Sequence, residues 1–124
     1  MLDRRHYNKN LFLIRYTISS IVSILHRISG ILLFLVLPFF LLLLKQSFIY
    51  NDNFVAIKNY LNFSSIRFFL FLILVILFYH MIAGIRHLFM DLGYFETKYS
   101  GALSSKFVII LIAIFSLFFG VFLW

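Results

Sequence analysis

The sequence predicts an all-α integral membrane fold of three transmembrane helices. Three observations carry that reading. Hydrophobic residues make up 64% of the 124 positions, and 18 residues are phenylalanine. The mean hydropathy is +1.05. Charged residues are only 12% of the chain, about half the share of a soluble domain. A small soluble domain leaves much of its area in water and has nowhere to hide so much apolar surface, so the solvent is lipid. At about 20 residues per span the length allows one domain with three to four crossings. Cysteine is absent, which excludes disulfides, thiolate iron–sulfur ligation by these residues and thiol nucleophiles.

The spans follow from the long uncharged runs. Residues 28–44 contain no charged residue or histidine, 68–85 contain only His80 of these, and 107–124 contain none. Runs of 17, 18 and 18 residues are near the minimum for crossing about 30 Å of hydrocarbon at about 1.5 Å per residue. The first span begins earlier, near Ile18, because nothing from Thr17 onward breaks a helix. All three are helices, since backbone groups in lipid need partners within their own segment. The reading is one membrane-anchor domain over 1–124, with spans at about 18–45, 66–90 and 105–124. Pro38 lies within the first span and removes one backbone donor, so a tolerated kink is expected there. The first run is too long for a signal-peptide core, and Leu44-Lys45-Gln46-Ser47 is no cleavage site, so the segment is expected to be retained. The Asn-rich stretch between the first two spans reads as a polar connection with a short interfacial helix.

Charge sets the orientation. Arg4, Arg5, Lys9, Arg15 and Arg27 precede or open the first span, and Arg86, Lys98 and Lys106 lie between the second and third. Only Lys45, Lys58 and Arg67 lie between the first and second. Eight against three places the N-terminus on the cytoplasmic or matrix side and Trp124 outward. The net charge of +7 is therefore read as topology and anionic-lipid contact, with no nucleic acid as partner.

Two polar clusters interrupt the apolar pattern. Ser23, His26, Arg27 and Gly30 are spaced i, i+3, i+4, i+7, and His80, Gly84, His87 and Asp91 are spaced i, i+4, i+7, i+11. Each set shares one helix face. In antiparallel spans the two sets lie at similar depth, so a polar pocket between both helices is expected. Arg27 alone is explained by snorkelling, but Ser23 and His26 on the same face are not. Arg86, His87 and Asp91 sit where an interfacial charge cluster is an equal alternative to a ligand role. His80 differs, because an imidazole inside an apolar run is costly without a metal or a hydrogen-bond partner. Gly84 one turn on leaves room for a flat ligand, the pattern of a helix that ligates b haem, although small residues also serve helix packing.

These residues resemble a known family. Ser23-Ile-Leu-His26-Arg27-Ile-Ser29-Gly30 is similar to the S-x-x-H-R-x-S/T-G signature of the cytochrome b membrane-anchor subunit of succinate dehydrogenase. His80-x-x-x-Gly84-Ile-Arg86-His87-x-x-x-Asp91-x-Gly93 is similar to its second signature, H-x-x-x-G-I/L-R-H-x-x-x-D-x-G. The order and the three-span layout also agree, so the resemblance covers nearly the whole chain. Two departures lie before the first signature: Arg5-His6 where the family has Arg-Pro, and Thr17 where a proline is common.

The resemblance implies one half of a two-subunit haem-binding bundle, within a complex that contains a second small membrane anchor, an iron–sulfur subunit and a flavoprotein. It implies haem b shared with the partner anchor, with His80 as one axial ligand of the iron, and ubiquinone as the substrate, bound by Ser23 and Arg27. His26, Arg27, His87 and Asp91 would form the polar network at the haem propionates, and Gly84 and Gly30 would pack against the haem. The chain would not be catalytic alone, and it would lie in a bacterial or mitochondrial inner membrane as part of succinate oxidation and electron transport. Three other readings compete: a haem-less structural anchor, a fumarate reductase anchor, and a small proton-conducting subunit. Intact Ser23, Arg27 and His80 weigh against the first. The last would show inverted repeats or a mid-membrane acid, and neither is present.

Overall fold

A computed structural model describes residues 17–49 and 51–124, without the side chains of Asn51 and Asp52. Arg4, Arg5, Lys9 and Arg15, four of the cations counted toward orientation, lie outside the described residues. Four helices follow in order: α1 (Ile18–Ile49), α2 (Asn51–Tyr60), α3 (Ser64–Asp91) and α4 (Lys98–Leu123). No strand occurs among the described residues. Three of the helices, α1, α3 and α4, are long and apolar enough to cross a membrane.

The helices outrun the apolar stretches that announce them. α1 continues to Ile49 and passes through Pro38 without interruption. α3 covers 64–91 against the expected 66–90. The largest difference is at α4, which starts at Lys98 and not near 105. Its start is set by a cap: the Thr97 hydroxyl accepts from the Ser100 backbone N–H at 3.1 Å, which satisfies one of the free donors of the first turn. Hydropathy marks the hydrocarbon, whereas capping marks the helix, and here the two differ by two turns. The Asn-rich connection does contain a ten-residue helix, α2.

α1 packs on both α3 and α4, and α3 packs on α4. Very little is buried by this. Val22, Ala83 and Val108 are the only buried apolar residues among those described, with Tyr79, Ile82 and Ile112 around them. Large side chains such as Phe34, Phe48, Leu117 and Val121 face outward. In water that would be untenable. In lipid it is ordinary, because hydrocarbon tails are as apolar as the side chains they touch.

Polar contacts therefore do much of the joining. Arg86, expected near the membrane end of α3, is 5% exposed. Its Nε donates to Ser104 Oγ at 3.0 Å, and its Nη2 donates to Ser19 Oγ at 2.6 Å and to the Gly101 carbonyl at 3.2 Å. One guanidinium thus ties α3 to α1 and α4. The Tyr79 hydroxyl adds a second link from α3 to α1, donating to the Val22 carbonyl at 2.8 Å. Towards the other end α3 and α4 meet through aromatic rings, with Phe78 and Phe115 stacked at 3.7 Å and Phe71 edge-on to Trp124.

Arg86→Met removes three hydrogen bonds. At roughly 0.6 kcal/mol each within a membrane protein, stability against unfolding in sodium dodecyl sulfate is expected to fall by about 2 kcal/mol. An unchanged unfolding midpoint would show that the hydroxyl contacts do not hold the helices together.

Candidate functional site

The site is built where α1 crosses α3. His80 points from α3 toward α1, and its Nδ1 lies 3.0 Å from Ser29 Oγ and 3.2 Å from the His26 carbonyl oxygen. The Ser29 hydroxyl donates its own hydrogen to that carbonyl at 2.7 Å. Both neighbours of Nδ1 are thus acceptors, so Nδ1 carries the proton and donates. Nε2 has no hydrogen-bond partner among the described residues. A metal-ligating imidazole is typically held in this way, its other ring nitrogen bonded to an outer partner.

Two glycines make the crossing close enough. A Cβ on Gly30 of α1 would lie 3.0 Å from His80 Cε1, and a Cβ on Gly84 of α3 would lie 3.2 Å from His26 Nε2. The space beside each glycine is taken up by an imidazole from the opposite helix. The two rings stack, with centroids 4.3 Å apart and planes 13° from parallel, and His87 stands 5.1 Å from His26. Three of the expected site histidines are therefore brought together. The room expected beside Gly84 and Gly30 for a flat ligand is thus filled by imidazoles of this chain, whereas a ring nitrogen held by a carbonyl and an Nε2 without a hydrogen-bond partner among the described residues suit His80 to ligate a haem iron.

Ser23, Arg27 and His87 are also brought together. With Ser19, Ser20 and Arg86 they line a cavity of about 290 Å³ between α1 and α3. Ser23 is half-buried and Arg27 is exposed. Asp91, one turn beyond His87, is exposed and makes no side-chain hydrogen bond among the described residues.

Sequence reasoning did not single out Ser29, Arg86, Ser19 or Tyr79 for these contacts. Ser29 stands in the first signature, but it lies off the stripe formed by Ser23, Arg27 and Gly30. Ser19 was legible, since Ser19, Ser23 and Arg27 recur every four residues.

Comparison with known proteins agrees with the resemblance in the two signatures. Residues 1–119 match the family described as succinate dehydrogenase/fumarate reductase transmembrane subunit. The succinate dehydrogenase cytochrome b556 subunit of Coxiella burnetii is 33% identical over 125 aligned residues, spanning 100% of both chains. The cytochrome b560 subunit of the same enzyme from Reclinomonas americana is 38% identical over 73% of this chain and 66% of its own. The cytochrome b556 subunit of Rickettsia felis is 38% identical over 74% of this chain and 71% of its own.

Gly30→Ala is expected to destabilise the protein by about 1–3 kcal/mol, the cost of overpacking a filled contact. Gly120→Ala is the control, because its added Cβ would meet only Phe71 at an ordinary 3.9 Å, and its thermal midpoint should hold or rise. Equal midpoints for the two variants would mean that the His80 ring has room to spare.

Proposed function

The chain belongs to the succinate dehydrogenase/fumarate reductase transmembrane subunit family, and from that premise we propose that it is the cytochrome b anchor of a succinate dehydrogenase, contributing His80 as one axial ligand of a shared haem b and Ser23 and Arg27 to the site of ubiquinone reduction. The observation that carries the reading is His80 itself: Nδ1–H held by Ser29 and the His26 carbonyl, with no hydrogen bond to Nε2 among the described residues.

A haem bound there supplies reversible one-electron transfer. The residues of this chain do the rest. Ser29 and the His26 carbonyl fix the orientation of the imidazole and strengthen Nε2 as a ligand. A haem held by one histidine of this chain would take its other protein ligand from a second small membrane subunit. His26, Arg27 and His87 supply donors and positive charge for the propionates, with Asp91 at the aqueous edge of the same network. Gly30 and Gly84 keep the helices close beside the macrocycle.

In the cavity the Ser23 hydroxyl donates to a quinone oxygen. Arg27 places a fixed positive charge where negative charge develops as electrons arrive. Because the entering quinone is neutral, the guanidinium stabilises the reduced side of the reaction more than the bound substrate, which is what raises a rate. The buried cation of Arg86 adds to the same field. In this reading the Ile18 end of the bundle faces the cytoplasm or matrix, which the excess of cations in the sequence on that side supports, and the iron–sulfur and flavoprotein subunits dock there. The membrane is the bacterial inner membrane or its mitochondrial counterpart.

His80→Leu is expected to abolish or strongly perturb the b-type absorption bands of the purified complex. A spectrum of normal shape and haem content in that variant removes the assignment. The quinone site is tested separately. Arg27→Leu and Ser23→Ala should lower ubiquinone reductase activity by about 10²–10³, the usual cost of losing one donor to developing charge, while succinate oxidation by a soluble dye survives. Equal loss of both activities would make Arg27 an anchor and not a quinone ligand.

A further inference from the structure

A second cavity lies on the opposite side of Arg86. It is a groove of about 650 Å³ between α3 and α4, walled by Ile82, Ile85 and Phe89 on one side and by Leu103 and Phe107 on the other. Its volume is within the range of about 300–1,000 Å³ found for sites that hold drug-sized ligands. We propose that it binds one anionic phospholipid, with an acyl chain along the groove and the phosphate at Lys106.

The chemistry of the walls selects that class. Apart from Arg86, Ser104 and Lys106, the groove is lined by apolar side chains. Ser104 is already engaged, donating to the Gly101 carbonyl and accepting from Arg86. Two nitrogens of Arg86 are engaged as well, and its Nη1 is buried with no hydrogen-bond partner. What remains for a ligand is a long hydrocarbon surface with positive charge from Arg86 and Lys106 along it. No carboxylate contacts Arg86 among the described residues. Lys106 is exposed, as is Lys98 at the start of α4, and the nearby acids Asp91 and Glu96 are fewer than the cations of this end, which also include Arg27. An anionic headgroup is drawn to such a juxtamembrane cluster.

Position separates lipid from protein as the occupant. Ile85 and Phe89 follow His80 by five and nine residues, so at about 100° per residue they point about 140° and 180° away from it. A partner helix that supplied a second ligand to a haem held by His80 would lie on the other face of α3; this step rests on the haem reading above. The groove then faces the bilayer, on the side whose leaflet the cations mark. Its end is shaped by Phe95, which holds φ 62°, a backbone conformation disfavoured for a bulky residue. Its ring stands edge-on to Phe89 at 6.5 Å and closes the wall there.

The test uses the intact complex in nanodiscs of phosphatidylcholine with a minority of phosphatidylglycerol, washed extensively and weighed by native mass spectrometry. The wild type should retain phosphatidylglycerol, and Leu103→Trp, which fills the groove, should retain one molecule fewer. Lys106→Glu should lower selectivity for phosphatidylglycerol over phosphatidylcholine by about thirtyfold, the size expected for reversing one charge near the membrane surface. Retention and selectivity unchanged in both variants overturn the proposal. So does a photoreactive residue at Phe107 that crosslinks to a partner subunit and not to lipid. Haem spectra are read on the same samples. A normal spectrum without groove-dependent lipid is a failure of this proposal alone, whereas a wild-type complex without b-type bands removes the haem reading and, with it, the reason for facing the groove to lipid.

Discussion

A charged side chain in hydrocarbon must be surrounded by its own protein, and in this chain that requirement falls on Arg86. Lipid gives helices no hydrophobic reason to associate, and the buried apolar core among the described residues amounts to Val22, Ala83 and Val108. The three spans instead meet at one guanidinium, which reaches a hydroxyl on α1 and a hydroxyl and a carbonyl on α4. Satisfying that cation brings Ser19, Gly101 and Ser104 to one place, and their helices come with them. The cost of burial is thereby turned into a constraint on packing. It is also why the polar contacts gather at the Ile18 end, leaving the remainder to aromatic stacking and small-residue fits.

Arg86 also divides the molecule chemically. One side of it is the cavity shared with Ser19, Ser23, Arg27 and His87; the other is the apolar groove between α3 and α4. Both belong to the same membrane depth, yet one is lined by hydroxyls and charge and the other by hydrocarbon. The helical period explains the division. On α3, Arg86 and His87 are neighbours in sequence but about 100° apart around the axis, so adjacent residues serve different surfaces.

The spans were legible because lipid imposes a simple rule: runs of 17 and 18 residues without charge have few other uses. His80 stood out for the same reason, as a titratable group inside such a run. The helix ends were not legible, since α4 begins at a threonine cap in polar sequence that hydropathy passes over. Nor was the fate of Arg86. A cation near the end of a span ordinarily snorkels to the headgroups, and nothing local distinguishes this one. Its partners lie 67, 18 and 15 residues away, so only the packing of three helices shows that it is buried. Ser29 was hidden differently, one residue off the stripe that carries Ser23, Arg27 and Gly30. The stripe marks the cavity; Ser29 marks the helix crossing.

The crossing has a reciprocal design. α1 offers Gly30 to the imidazole of α3, and α3 offers Gly84 to the imidazole of α1. A Cβ at either glycine would crowd the ring opposite, so the two notches bear on both the separation and the register of the pair. The same few turns of α1 also carry Ser23 and Arg27, while the backbone carbonyl that holds His80 belongs to His26 between them. The proposed haem ligand and the proposed quinone site are thus referred to one rigid element and not to two loops. Sliding α1 against α3 would move the acceptor of His80 and the cavity wall together. For electron transfer into a bound quinone that coupling is useful, because the distance between the two sites is then a property of a helix crossing and does not depend on how the longer, lipid-facing parts of the spans bend.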